Sequence, residues 1–295
     1  MNKHAYLIIA HSDFSLLNNL ISMIDDERND IYIHIDLGAK KLYNKCKHLI
    51  TNKAGLYILK NRINVYWGDI SQVNAEYLLF ETASRMHQYL YYHLLSGADL
   101  PLKSQDYIHN FFKENQGKEF IEFWNDKFHQ KDLNRKVSRY YFFLKYYKNK
   151  KHPLHNLTST FRNLALLIQK ISQFKRKRNF DFKKGGNWVS ITHPLCRYII
   201  KNKDKIKKRL RYTLCPDEIF IQTLVWNSPF RNNIYKSKDT NPGNMRLIDW
   251  TRGNPYIWTD NDFDELISSE ALFARKFNSS TTSLHNMLKN IICNE

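Results

Sequence analysis

The sequence predicts an α/β fold with a mainly parallel central sheet flanked by helices, and three observations predict it. Short apolar runs alternate with stretches of helical period through the first half of the chain. Glycine (9) and proline (7) are scarce among 295 residues, which excludes collagen-like and low-complexity classes. The chain is 42% hydrophobic and 14% aromatic, enough to bury a substantial core.

The elements follow in order. AYLIIA (5–10) reads as the first strand, and Ser12 or Asp13 caps a helix in which Phe14, Leu17, Leu20, Ile21 and Ile24 recur at helical spacing. IYIHI (31–35) is a second strand ending at Asp36, and NVYW (64–67) a third, closed by Gly68. Ala75, Leu78, Leu79, Thr82 and Met86 mark the next amphipathic helix. YYHLL (91–95), broken by Ser96-Gly97, and FIEF (120–123) are the fourth and fifth strands. Such spacing indicates βαβ units. Residues 130–182 read as helix and loop, and WVSIT (188–192) returns to strand. Pro216 opens a helix through Ile219, Phe220, Leu224 and Val225, MRLIDW (245–250) is a strand, and DFDELISSEALFARKF closes the pattern as helix. With no internal repeat and no flexible linker, 1–295 reads as a single domain.

The charge is uneven. The chain carries +18, yet residues 131–211 hold 24 of the 46 Lys and Arg against three acids, Asp132, Asp181 and Asp204, a net of +21. The remainder nets −3. The excess concentrates in Lys175-Arg176-Lys177-Arg178, Lys183-Lys184 and the run from Lys201 to Arg211. A solvated basic face, attraction to an anionic membrane or phosphorylated glycolipid, and nucleic-acid binding all fit that excess. Tyr140 to Phe143, Tyr146 and Tyr147 could stack bases, but no nucleic-acid-binding spacing is visible, so no nucleic acid is expected. No apolar run reaches the length that spans a bilayer, and the start lacks a signal-peptide pattern. Cys46, Cys196, Cys215 and Cys293 have no metal-site spacing and fit reduced thiols, so the expected location is the cytosol.

Ligands of open parallel sheets sit beyond the carboxyl ends of the strands. The residues to inspect are therefore Ala10-His11, Asp36, Trp67-Gly68 and Ser96-Gly97-Ala98-Asp99. A carboxylate such as Asp36 could accept from a ribose or base, or be a simple turn residue. His11 and His34 read as packed, hydrogen-bonded residues rather than catalysts. The absence of GxGxxG, GxxxxGK[ST], GxSxG and HExxH removes several common enzyme classes.

AHSDFSLLNNLISMI, IYIHID, VYWGDISQVNAE, YYHLLSGADLPLKSQDYIHNFF, GGNWVSIT, CPDEIFIQTLVWNSPF, RLIDW and LFARKF, in that order, resemble the core-2/I-branching family. That family comprises inverting β-1,6-N-acetylglucosaminyltransferases and their peptide O-xylosyltransferase relatives. The resemblance runs from about residue 4 to 278. It implies a GT-A-type fold with residues 4–125 as the nucleotide-binding half and 126–295 as the acceptor and catalytic half. It also implies a UDP-sugar donor, consumed as substrate, and catalysis without a bound metal or other cofactor.

The residues agree with that chemistry. In inverting transfer an acceptor hydroxyl loses its proton while attacking the anomeric carbon, which needs a carboxylate base. Glu218, read here in the first turn of a helix after Pro216-Asp217, suits the task, or with Asp217 merely complements the helix N-terminus. The resemblance makes Glu218 the base. Without a metal, fixed cations must meet the leaving diphosphate. Phe273 and Phe277 could anchor a helical turn from which Arg275 and Lys276 reach it, and the resemblance assigns that role to the pair.

The resemblance also places Ala10, Asp36, Trp67 and Gly68 at the nucleotide and Asn187 and Trp188 by the donor sugar. Asp99 would order the donor loop rather than hold metal. Glu122, Arg135 and Arg139 fall where the family binds acceptor, a glycan or glycolipid. The family's glucosaminyltransferases carry a further Arg upstream of the Lys, and here that stretch is Asn254-Pro255-Tyr256-Ile257. Either Arg252 substitutes, or Asn254 contacts phosphate as a small polar residue does in the xylosyltransferase relatives. Animal members carry an anchor, a stem and disulfides. This chain fits instead a compact bacterial enzyme of surface-polysaccharide or lipooligosaccharide assembly, peripheral at the inner membrane face. The expected donor is UDP-N-acetylglucosamine; the alternatives are a UDP-xylose-dependent xylosyltransferase of the same family, a basic nucleic-acid-binding protein and an inactive sugar-binding relative.

Overall fold

The computed structural model describes residues 3–177, 180–236 and 243–294, so Arg178 of the basic run lies outside the described residues. The chain begins β1 (His4–Ala10), α1 (Phe14–Met23), β2 (Asn29–Ile35), α2 (Lys40–Cys46), β3 (Gly55–Ile58), α3 (Ile70–Met86) and β4 (Tyr91–Ser96). It continues through β5 (Asp99–Pro101), α4 (Gln105–Glu114), α5 (Lys127–Ser138), α6 (His155–Ile171) and β6 (Ser190–Thr192). Next come α7 (His193–Lys201), α8 (Lys203–Leu210), α9 (Phe220–Trp226), β7 (Arg246–Ile248), α10 (Phe263–Ser268), β8 (Phe273–Arg275) and α11 (Thr282–Asn294).

The larger sheet has the order β3-β2-β1-β4-β6. Its first four strands are parallel, and β6 runs antiparallel to β4. The expected α/β architecture with a mainly parallel sheet is therefore present. β1 and β2 are buried along their whole length because helices cover both faces, which is why they read as unbroken apolar runs. Alternation divides the core: Tyr6, Ile8 and Ala10 pack with Leu17, Ile108 and Leu284, while Ala5, Leu7 and Ile9 pack with Val73, Leu195 and Phe220. Asp13 caps α1 through Leu16 N–H (3.1 Å), and Thr192 caps α7 through Leu195 N–H (3.5 Å).

Four expectations fail. The third strand is GLYI at 55–58, the edge partner of β2, and not NVYW. Ile63 N–H and Val65 N–H instead donate to the His34 ring (2.9 Å) and the Asp36 carboxylate (2.6 Å), so side chains rather than a ladder hold that segment. FIEF forms only one isolated bridge, Phe120 with Ser190, next to a second from the preceding Glu119 to Ile234. Pro216–Glu218 is a 3-10 turn following a left-handed Cys215 (φ 49), and the α-helix starts at Phe220. LFARKF is not helical. Phe273–Arg275 is the middle strand of a second sheet, antiparallel to β5 and parallel to β7.

Candidate active site

One side of the candidate site is built from strand ends. Ala10 C=O accepts from Asp36 N–H (2.9 Å), joining the ends of β1 and β2. The Asp36 carboxylate takes N–H bonds from Gly38 (2.8 Å) and Val65 (2.6 Å), organising the loops on either side of it. Just past these ends, a cavity of about 600 Å³ opens between His11–Phe14 and Gly38–Lys45, with Lys40, Lys41 and Lys45 on its wall. His11 is exposed at this cavity, contrary to the packed role expected. His34 is buried and neutral, with its pKa lowered to about 4 by burial.

The loop after β4 closes against the same edge. Gly97 lies so near Ala10 that an added Cβ would sit 3.0 Å from the Ala10 Cβ. Asp99 is buried and accepts from Ser96 N–H (2.9 Å) and Ser96 Oγ (2.6 Å), so it orders the loop. Its other neighbour is Arg275, Nε 3.6 Å away. Among the described residues, no group of three or more His, Cys, Asp or Glu side chains is arranged to hold a metal ion.

Arg275 ends β8 and Lys276 lies just beyond it, so the pair does not stand on a helical turn. Arg275 turns inward, its guanidinium 4.5 Å over the Trp188 ring and beside Asp99, and burial lowers its pKa. Trp188 is thus a buried platform under Arg275. Lys276 is half-buried and its side chain has no ion-pair partner among the described residues. Its backbone is fixed by Trp258 N–H donating to its carbonyl (3.0 Å) and its own N–H donating to Tyr256 C=O (3.3 Å). Phe277 N–H donates to Ala98 C=O (3.0 Å), and Ser279 N–H to Asp13 (2.7 Å), so Lys276 stands beside the β1 and β4 ends.

Asn254 is exposed in the loop before this stretch. Arg252 is already committed: its guanidinium pairs with Asp249, Asp262 (2.8 Å) and Glu265 (2.9 Å). It is a neutralised structural cation, not a spare one.

Glu218 lies on the other side. Its carbonyl accepts from Gly185 N–H (3.0 Å), and Cys215 N–H donates to Gly68 C=O (2.9 Å), which places Trp67-Gly68 beside the 216–218 turn. Lys136 of α5 and Lys184 reach the same oxygen, Oε2, at 3.0 and 3.2 Å. Oε1 has no partner among the described residues, and the side chain is 27% exposed. The same two ammonium groups also meet Asp132 Oδ2, at 3.0 Å from Lys136 and 2.7 Å from Lys184. The result is a charge-balanced quartet of two ammonium and two carboxylate groups. Burial opposes the charge on Lys136, but Glu218 and Asp132 outweigh it and its pKa is raised. Burial likewise opposes ionisation of Asp132, and Lys184, Arg135 and Lys136 outweigh that and lower its pKa.

Behind Glu218 sit two unusual acids. Glu76 is fully buried, and its pKa is raised well above the carboxylate range by burial and then by Asp217. Gln72 Nε2 donates to its Oε1 (3.2 Å), and its Oε2 has no hydrogen-bond partner among the described residues. Asp217 has an Oδ1 sealed from solvent without a donor, and burial, then the Glu218 charge, push its pKa up to about 7.

Glu122 adjoins this wall. Gly185 and Gly186 have to be glycine there, since an added Cβ would lie 1.8 Å from the Glu122 carbonyl oxygen and 2.6 Å from its Oε2. Burial raises the Glu122 pKa. Asn244 spans its Oε2 (3.5 Å) and the Trp188 carbonyl (3.2 Å), linking the Glu218 side to the Arg275 side. Arg135 pairs with Asp132 (2.7 Å), and with Arg139 it lines a separate open cleft of about 630 Å³ between α5 and the end of α6. Trp67 is 50% exposed, stacked on Tyr147 (5.7 Å) with Lys148 3.5 Å above the ring. Sequence reasoning missed Lys136, Lys184, Asp132 and Glu76 as site residues. The one signal available was Asp132, an acid four residues before Lys136 inside a segment almost empty of acids.

Fold and geometry together define an α/β protein with a cavity just past the carboxyl ends of β1 and β2 and an ion-paired glutamate in the 216–218 turn. The chain belongs to the core-2/I-branching enzyme family, whose model matches residues 4–267. It is similar to xylosyltransferase 2 of Rattus norvegicus, 24% identical over 298 residues that cover 94% of this chain and 32% of the relative. It is also similar to xylosyltransferase oxt of Drosophila pseudoobscura pseudoobscura, 23% identical over 266 residues, 83% of this chain and 28% of the relative. The chain spans about a third of the length of the curated relatives it matches. Mouse xyloside xylosyltransferase 1 in its apo form aligns over 95% of this chain and 99% of its own, with 8% identity and a TM-score of 0.41, too low to bear on the fold.

Proposed function

We propose that this chain is an inverting glycosyltransferase that moves a sugar from a UDP-sugar to a hydroxyl of a glycan or glycolipid, without a metal. The carrying observation is the asymmetry of Glu218: two lysines fix Oε2 and leave Oε1 for the acceptor hydroxyl. The nucleotide occupies the crevice at Ala10, Asp36 and Gly68, with Asn187 and Trp188 flanking the sugar and Asp99 shaping the donor loop. Lys276 meets the negative charge that develops on the leaving diphosphate, backed by Arg275 through Asp99. Asn254 supplies a second polar contact. Glu122 and the Arg135–Arg139 cleft receive the acceptor.

The donor sugar is xylose or N-acetylglucosamine, and the similar proteins named xylosyltransferases favour xylose. The basic segment holds the enzyme at an anionic membrane surface where glycolipid acceptors reside, and free thiols suit the cytosolic face. The test is release of UDP from a panel of UDP-sugars with EDTA present. Turnover of UDP-xylose or UDP-N-acetylglucosamine is expected. Loss of all turnover on chelation, restored by a divalent ion, would contradict the metal-free reading. UDP binding with no turnover of any donor would point to an inactive relative.

A further inference from the structure

Helix α6 is amphipathic in the wrong sense for a soluble protein. A surface helix turns its apolar stripe to the core. Here Leu157, Phe161, Leu164, Leu167, Ile168 and Ile171, which share one side of the helix, are 50–73% exposed. The opposite side, facing the protein, is largely polar. His155 bonds the Tyr146 carbonyl (2.8 Å), and Arg162 is buried 4.6 Å over the Tyr147 ring. Gln169 exchanges bonds with the Tyr140 backbone (2.7 and 3.1 Å). The outward stripe is therefore fixed by specific inward bonds and is not a frayed or misoriented segment. Phe143, 45% exposed and edge-on to Phe161, widens the patch.

An exposed apolar surface of this continuity marks a place where something docks. Charge decides what. Between Asp132 and Asp181 the sequence contains no acid and 13 Lys and Arg. Lys145, Lys148, Lys150, Lys151, Lys170 and Lys175 are all exposed. A second copy of the chain would bring an equally positive face against this one. Nucleic acid would leave the mostly aliphatic stripe of Leu157, Leu164, Leu167, Ile168 and Ile171 without a partner, since only Phe143 and Phe161 could stack on bases. An anionic lipid surface satisfies both features, with apolar side chains entering the acyl boundary and lysines meeting headgroups. We infer that α6 lies in the plane of an anionic membrane and anchors the protein there through Leu157, Phe161, Leu164, Ile168 and Ile171. This rests on the reading of the basic segment as membrane-facing and names the element that inserts. On its inward side, Leu166 packs against a small cluster of Tyr141, Leu144, Leu214 and Cys215.

The test is co-sedimentation of the full chain with vesicles of phosphatidylcholine alone or mixed with phosphatidylglycerol, at low and high salt. The wild type is expected to bind the anionic vesicles at least about tenfold more tightly, with salt weakening the complex. The triple variant Leu157→Ser, Phe161→Ser, Ile168→Ser replaces exposed side chains only, so it should keep its circular dichroism spectrum. It should lose about tenfold or more of its binding to the anionic vesicles. Lys150→Gln, Lys151→Gln, Lys170→Gln should lose the preference for anionic over neutral lipid. Equal binding to both vesicle types, or an unchanged triple Ser variant, would overturn the inference. So would failure to bind vesicles combined with capture of generic RNA, or with a dimer by light scattering that the Ser variant dissociates. No sugar nucleotide is present in the assay, so its failure leaves the transfer reaction standing, and a protein without transferase activity could still pass it.

Discussion

The two halves of the proposed site are made in different ways. The proposed donor wall is mostly backbone: strand ends, a glycine packed on Ala10, and carboxylates of Asp36 and Asp99 whose oxygens bind loop N–H groups. The Glu218 wall is mostly side chain, a quartet drawn from α5, the 183–186 segment and the 216–218 turn. A wall of backbone holds its shape when a single side chain changes. A wall of buried charges does not, because each ion depends on the others for its compensation. The donor wall should therefore lose binding in small steps, and the base wall should lose function or stability abruptly.

Glu218→Gln should sharpen this contrast most. It removes the proposed base while keeping a group that Lys136 and Lys184 can bond, so transfer should fall by about two orders of magnitude or more with UDP affinity nearly unchanged. Steady-state rates and calorimetric UDP titration separate the two effects. Lys276→Ala attacks the other wall and should lower the rate by about ten- to a hundredfold while weakening UDP binding, with partial recovery in Lys276→Arg. Equal UDP affinity in wild type and Lys276→Ala would break the assignment.

Asp132→Asn leaves Lys136 and Lys184, both nearly inaccessible, to share one carboxylate, and should cost about 3 kcal/mol of stability by denaturant unfolding. A change within error would mean that the quartet relaxes freely. The smallest effect concerns pH. In the folded protein the pKa of Asp217 is raised from 3.8 to about 7, so the native state prefers the protonated form. That preference destabilises the fold progressively as pH rises from near 4, and fully above 7. Asp217→Asn should therefore raise the melting temperature at pH 8 and have little effect at pH 4, a difference of up to a few kcal/mol. Equal shifts at both pH values would refute the raised pKa.

The legibility of the sequence divides along the same line. β1, β2 and β4 are readable because burial on both faces makes them continuous apolar runs. β3 is a half-exposed edge strand of four residues with little pattern of its own. β8 is a strand only because β5 and β7, distant in sequence, flank it, while Phe273 and Phe277 fit helical spacing locally. Glu218 is marked by its neighbours in the chain. Its lysines are two among 24 basic residues of one segment, and only tertiary structure selects them. The choice between Arg252 and Asn254 likewise needed coordinates, since what disqualifies Arg252 is convergence of Asp249, Asp262 and Glu265 from two loops and a helix. The basic middle is legible as charge, whereas the outward turn of the α6 apolar stripe is not, because periodicity is blind to which side faces the core.

The most direct test of the proposed two-walled site is a crystal structure of the chain with UDP bound. The account predicts a diphosphate oxygen within about 3 Å of Lys276 Nζ, and Glu218 Oε1 turned toward the space where the sugar would lie. A diphosphate well beyond hydrogen-bond reach of Lys276, or a Glu218 whose two oxygens are both closed off by lysine, would contradict it.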